Sequence, residues 1–165
     1  MKKIVLLFII IIFLTGCGIV NLDYFVIPDD IEFIYCINKL DTPEKICNYM
    51  KDNFIVISYH KKAFSPYEMW LNKNGDCNDY STFAIFCANY HNYEVYQMCI
   101  NLIVTSHMVG IYRVENGYLV SSWDYLYPQI YKNFQEIINI FAFQNWREYT
   151  VYNYDMNIVG QGYNK

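Results

Sequence analysis

One short stretch, Gly75-Asp76-Cys77-Asn78-Asp79-Tyr80, puts a thiol where a thiol can do chemistry. A polar turn, Asn72-Lys73-Asn74-Gly75, comes before it, and residues 81–88 after it are apolar almost throughout. An apolar run of that length, containing Ala and neither Gly nor Pro, reads as a buried helix. Cys77 then falls in the helix's first turn, where open backbone N–H groups and the positive end of the dipole gather. Such a setting lowers a thiol's pKa and favours the nucleophilic thiolate, and a backbone N–H there can hold an oxyanion. The plainer alternative is a small buried hydrophobe, which is what most cysteines are. The choice turns on whether the rest of the chain supplies a base.

Three histidines are available. His60 stands in a loop beside two lysines, and His91 lies at the polar end of the expected central helix. His107 differs: it opens a strand, sharing parity with Val109 and Ile111. Asn116-Gly117 turns the chain, as Asn-Gly does in hairpins, and the returning strand runs into Trp123-Asp124. Residues equally far from the turn of an antiparallel hairpin lie opposite one another, so His107 and Asp124 are expected within a residue or two of register. A carboxylate there can bond one imidazole nitrogen and leave the other for Cys77, the arrangement that activates a thiol nucleophile. The competing readings are a satisfied core histidine and a simple turn aspartate. A serine hydrolase built on Ser81 lacks the Gly-x-Ser-x-Gly elbow.

Taken in that order, Gly75-Asp76-Cys77-Asn78-Asp79-Tyr80, Ser106-His107-Met108-Val109 and Ser122-Trp123-Asp124 resemble the transglutaminase-like superfamily of papain-type thiol enzymes. The resemblance is nearest to the bacterial transglutaminase-like cysteine peptidase branch, where Gly-Asp-Cys-x-Asp-Tyr recurs. It covers residues 54–154 and takes in Pro66-Tyr67-Glu68-Met69-Trp70-Leu71. It implies an α+β fold of transglutaminase-like, papain-like type, with the cysteine helix packed on an antiparallel sheet. It also implies a nucleophile at Cys77, a general base at His107, an orienting carboxylate at Asp124, and a peptide or protein substrate. The chemistry would be acyl transfer through a thioester, with hydrolysis preferred to cross-linking and no cofactor. Asn78 stands where many members carry Trp, and Ser81 where many carry Ala. For the oxyanion, the Cys77 N–H is one donor, with Tyr59, Tyr67 and Trp70 as side-chain candidates and Tyr59 taken first. Asp79 reads as a structural carboxylate. The alternative function is a non-catalytic relative that binds a peptide, cell-wall fragment or protein partner; a metal site on His60, His91 or His107 is a weaker third.

The rest of the chain must position these groups. With 165 residues, 55% hydrophobic and 19% aromatic, it suits one domain with a sizeable core. The formal charge of −4 and the lack of any basic run beyond two Lys pairs speak against nucleic-acid binding. At the N-terminus, Lys2-Lys3, an apolar run over residues 4–14 and Leu14-Thr15-Gly16-Cys17 follow the order of a lipoprotein signal. The run is short for a membrane span. Residues 1–16 are read as the signal, Cys17 as the lipidated residue, 17–27 as a tether and 28–165 as the domain. A lipid-anchored protein on the extracytoplasmic face of the cell membrane follows. Cys36, Cys47, Cys87 and Cys99 allow three pairings, and no pair or quartet has zinc-ligand spacing. The apolar segments around Cys87 and Cys99 favour buried free thiols.

Helices are expected from Pro28, with a face of Ile31, Ile34, Tyr35 and Asn38; from Thr42-Pro43, with Ile46, Tyr49 and Met50; and from the capping box Ser65-Pro66-Tyr67-Glu68. Alternation then marks strands over residues 96–104, 107–113 and 118–122, with Gln97 and Asn101 on the polar face of the first. Pro128 is expected to break the run. A helix carries Phe134, Ile137, Ile138 and Phe141, residues 148–154 form the last strand, and the tail frays. Helices first and an antiparallel sheet after them make an α+β domain.

Overall fold

The computed structural model describes residues 25–58, 62–141 and 145–164. Cys17, Tyr59 and His60, and with them the signal and most of the tether, lie outside the described residues. Four helices come first: α1 (Ile31–Asn38), α2 (Pro43–Asn53), α3 (Pro66–Asn72) and α4 (Cys77–Tyr90). Asp30, Thr42, Ser65 and Asp76 cap them, each side chain accepting from backbone N–H groups that the first turn leaves open. Asp30 is the N-cap of α1, so the helix starts at Ile31 and not at Pro28 as expected. The buried stripe of α1 also differs from expectation. Phe33 and Ile37 are buried, while Ile31 and Tyr35 are exposed. Phe33 prevails because its ring joins Tyr67, Trp70 and Phe86 at 5.2, 5.4 and 5.9 Å, contacts that no periodicity reveals.

Two short strands, β1 (Ile55–Val56) and β2 (Asn74–Gly75), pair in parallel and bring the chain to the start of α4. The remaining elements are β3 (Val95–Leu102), β4 (Ser106–Val114), β5 (Gly117–Ser122), β6 (Tyr125–Tyr131), α5 (Phe134–Phe141), β7 (Trp146–Asn153) and β8 (Ile158–Tyr163). The strands form one antiparallel sheet in the order β6-β5-β4-β3-β7-β8. The fold is therefore α+β, with the cysteine-bearing helix packed on an antiparallel sheet.

Each sheet face has its own core. Phe83, Ala84 and Ile85 of α4 pack with α1, α2, Val95 and Tyr112. Met98, Ile100, Val109, Ile111 and Val120 pack with Ile137 and Ile138 of α5. β3 is thus covered on both sides, and Gln97, expected on a polar face, is fully buried. Pro128 does not end a strand; it lies within β6, an edge strand where a missing N–H is tolerated. The tail forms β8 rather than fraying. Gly162 permits this, because a Cβ there would come within 2.4 Å of the Tyr149 ring. Cys36, Cys47, Cys77 and Cys87 are free thiols. Cys99 is buried, as its apolar neighbours indicate.

Candidate active site

The sequence around Cys77 builds a helix start with little freedom. Asp76 caps α4 by accepting from the N–H groups of Asn78 and Asp79. Asp79 reaches back to the Asp76 N–H at 2.8 Å and also accepts from the Phe64 N–H at 2.7 Å, tying the upstream loop to the helix. Gly75 makes room for this, since a Cβ there would stand 2.7 Å from Asp79 Cβ. The motif is a glycine for close approach, a reciprocal pair of capping carboxylates, and Cys77 as the first helical residue. Asp79 has the structural role expected of it.

Burial pushes the Cys77 thiol above its ordinary value. The Met108 N–H opposes this, the Asp76 charge adds to it, and the N–H groups of Asn78 and Cys77 oppose it further. The expected lowering at a helix N-terminus is thus outweighed by desolvation, and at neutral pH the resting sulfur is a thiol. The Met108 amide that favours the thiolate belongs to β4, one residue beyond His107.

His107 stands near the start of β4, with Nε2 2.8 Å from Ser122 Oγ. Its ring lies 5.9 Å from that of Trp123 and 6.2 Å from that of Phe141. Burial lowers its pKa below the ordinary value, so at pH 7 it is neutral and able to accept a proton. Nε2 is engaged by Ser122; among the described residues no contact joins His107 to Cys77, and its strand parity, shared with Val109 and Ile111, is that of the sheet face away from α4.

Asp124 meets the register expectation on paper only. The β4–β5 pairing, continued past its last pair Gly110↔Ser121, would set His107 opposite Asp124. Instead Ser122 pairs with Tyr125, and Trp123-Asp124 becomes the two-residue turn into β6. Trp123 adopts the left-handed region, φ 55°, at a cost of roughly 1–2 kcal/mol for an L-residue. Its ring packs edge-on against Tyr80 of α4, at 5.5 Å, and against His107. Asp124 lines a cavity of about 420 Å³ with Glu44, Cys47 and Lys51 of α2 and with Tyr125 and Tyr127. Burial raises the Cys47 thiol to about 12, and the Asp124 charge adds to that rise. Tyr80, raised to about 12 by burial, also feels Asp124. Among the described residues, His107 hydrogen-bonds Ser122 and not Asp124.

Two site residues had escaped notice in the sequence. Ser122 gave no signal beyond a hydroxyl at a strand end. Gln97 gave none at all: its Nε2 lies 2.7, 3.0 and 3.2 Å from Ser81 Oγ, Thr82 Oγ1 and Asn78 Oδ1, beneath the first turn of α4. The oxyanion candidates fare unequally. The Asp76 cap takes the Asn78 and Asp79 N–H groups and not that of Cys77, which acts on its own sulfur. Tyr67 donates its hydroxyl to Asp30 at 2.6 Å, and Trp70 is packed into the Phe33 cluster, where it acts on the Tyr49 hydroxyl. His91 Nε2 is 2.8 Å from the Ile37 carbonyl oxygen. Among the described residues, no cluster of His, Cys, Asp or Glu could hold a metal.

No family model and no curated protein matches the chain. Solved structures similar in outline include LapG of Legionella pneumophila in EGTA-treated form (TM-score 0.45, 16% identity, 58% of this chain and 60% of that one). Its calcium-bound form is similar at TM-score 0.44 and 15% identity, over 58% of this chain and 62% of that one. A cysteine protease candidate from Cytophaga hutchinsonii gives TM-score 0.47 and 10% identity, over 85% of this chain and 46% of that one. The chain spans less than two thirds of each of these structures. Similarity of this degree fixes neither family nor activity, and the functional reading rests on the side chains.

Proposed function

We propose that the chain is a cysteine-dependent acyl-transfer enzyme of the transglutaminase-like, papain-type class, acting on amide bonds of a peptide or protein. The observation that carries this reading is the meeting of the first turn of α4 with β4. Cys77 opens the helix, the Met108 N–H acts on its sulfur, and His107, held by Ser122, is the residue before Met108 on β4. In the first step Cys77 Sγ attacks the amide carbonyl carbon while its S–H proton passes to His107. The carbonyl oxygen becomes an oxyanion, for which the Cys77 N–H is a donor. The C–N bond then breaks, the leaving amine takes the proton from His107, and a thioester remains. Water resolves it in a peptidase or amidase, and an amine would resolve it in a cross-linker. The motif's resemblance to the peptidase branch supports hydrolysis. The order of Lys2-Lys3, apolar run and Leu14-Thr15-Gly16-Cys17 supports a lipid anchor at Cys17 outside the cytoplasm; loss of fatty-acid labelling in Cys17→Ser would bear on it.

The test is the pH dependence of Cys77 alkylation, followed peptide by peptide by mass spectrometry, in the wild type and in His107→Ala. Acceleration by His107 of about 10²-fold near neutral pH is expected of a positioned base. If Cys77 reacts no faster than a model thiol and ignores the loss of His107, the protein is a binding scaffold and not a thiol enzyme.

A further inference from the structure

We propose that Ser122, and not Asp124, is the positioning residue that orients His107. This rests on the thiol-enzyme reading above. The direct observation is the 2.8 Å contact between His107 Nε2 and Ser122 Oγ, at a serine only 8% exposed. Strand alternation brings the serine to the face of His107, and the turn that follows it removes the aspartate. Successive side chains of a strand point to opposite faces. Ser121 hydrogen-bonds Tyr112 on the face covered by α4, so Ser122 turns to the other face. His107 alternates with Met108 and shares parity with Val109 and Ile111, which belong to the core on that other face. Phe141 of α5 packs on the His107 ring from there. Past Ser122 the left-handed Trp123 reverses the chain, and Asp124 comes out against α2, beside Cys47. Trp123 touches both Tyr80 and His107 and closes the sheet end where the two faces meet.

The hydroxyl and a carboxylate do different chemistry on Nε2. With Ser122 Oγ accepting from Nε2–H, the Nδ1 lone pair is left as the base; a hydroxyl also donates, so it holds the ring in place without fixing the tautomer as a carboxylate does. It adds no negative charge, so it does not stabilise an imidazolium as a carboxylate would. The resting pair is thiol and imidazole, and the proton moves only as the sulfur attacks. In alkylation by iodoacetamide the Sγ–CH₂ bond forms, iodide leaves, and the thiol proton passes to His107 Nδ1 and on to solvent.

The experiment measures Cys77 alkylation by iodoacetamide on the full chain across about pH 5 to 9, around the ordinary His and Cys values, in wild type, Ser122→Ala, Ser122→Thr, Asp124→Asn and His107→Ala. Ser122→Ala, close in volume to the wild type, is expected to slow alkylation near neutral pH by about tenfold, the scale of one oriented hydrogen bond. It should also move the midpoint of the rate–pH profile. Ser122→Thr, which keeps the hydroxyl, restores rate and midpoint, and Asp124→Asn changes both less than Ser122→Ala does. If His107→Ala slows the reaction but Ser122→Ala does not, or if Asp124→Asn alone shifts the midpoint, the assignment of Ser122 is overturned and the enzyme reading stands. If His107→Ala has no effect, both fall together.

Discussion

Cys77 and Cys87 sit on the same helix, ten residues apart, and are opposites. Cys87 is fully buried among the aromatic side chains of the first three helices, and desolvation lifts its thiol well above the ordinary value. Cys77 is half-buried at the helix start, where desolvation also lifts the thiol but three backbone N–H groups push back. Burial alone makes a thiol inert. What distinguishes Cys77 is a set of donors that survives burial, one of them brought from another element by tertiary contact. The same contact sets His107 in the neighbouring position of β4.

The contrast is tested most strongly by labelling. In the folded protein iodoacetamide should modify Cys77 at least about 100-fold faster than Cys87, which reacts only through opening of the structure, and Cys77→Ser should remove the fast phase. Comparable rates would break the comparison. At the Cys87 end, Phe33→Ala takes a fully buried ring from the aromatic cluster. It should cost about 3–5 kcal/mol in urea unfolding, exposing Cys87 to reagent through more frequent opening. At the Cys77 end, Gly75→Ala drives a Cβ against Asp79. A loss of about 1–3 kcal/mol is expected, with slower Cys77 alkylation, because the cap and not the core is disturbed. Gln97→Leu removes the amide beneath the first turn. It should cost about 1–2 kcal/mol and slow Cys77 more than it exposes Cys87.

The smallest effect concerns pH. The folded-state pKa of His107 lies below its ordinary 6.5. Above 6.5 both folded and unfolded states are neutral there and stability does not depend on this group. As pH falls below 6.5 the unfolded chain takes up the proton first, so stability declines until the folded value is reached. Denaturant midpoints across that window should fall in the wild type, and less so in His107→Gln. An unchanged slope would mean that His107 is not the buried neutral imidazole described.

Much of this was legible from local chemistry. The Ser65 capping box, the Thr42-Pro43 start and the first helical position of Cys77 all depend on residues within four of one another, and all are present. The hairpin, which turns at Glu115-Asn116 one residue before the expected Asn116-Gly117, and the strand carrying His107 were legible for the same reason. The face of α1, the burial of Gln97, the survival of Pro128 in an edge strand and the pairing of β8 were not. Each depends on which distant surface covers the segment.

At the site the division is sharper. The sequence by itself determined the nucleophile's platform, because Gly75, Asp76 and Asp79 satisfy one another within a single turn, and it determined that His107 and residues 122–124 would be hairpin neighbours. Only the tertiary structure decided that burial outweighs the helix dipole at Cys77, and that Ser122 rather than Asp124 meets the imidazole. The first is a desolvation that depends on everything packed around the sulfur. The second depends on where the hairpin turns: Ser122 and Asp124 share strand parity, but the chain reverses between them and the left-handed backbone at Trp123 takes Asp124 away.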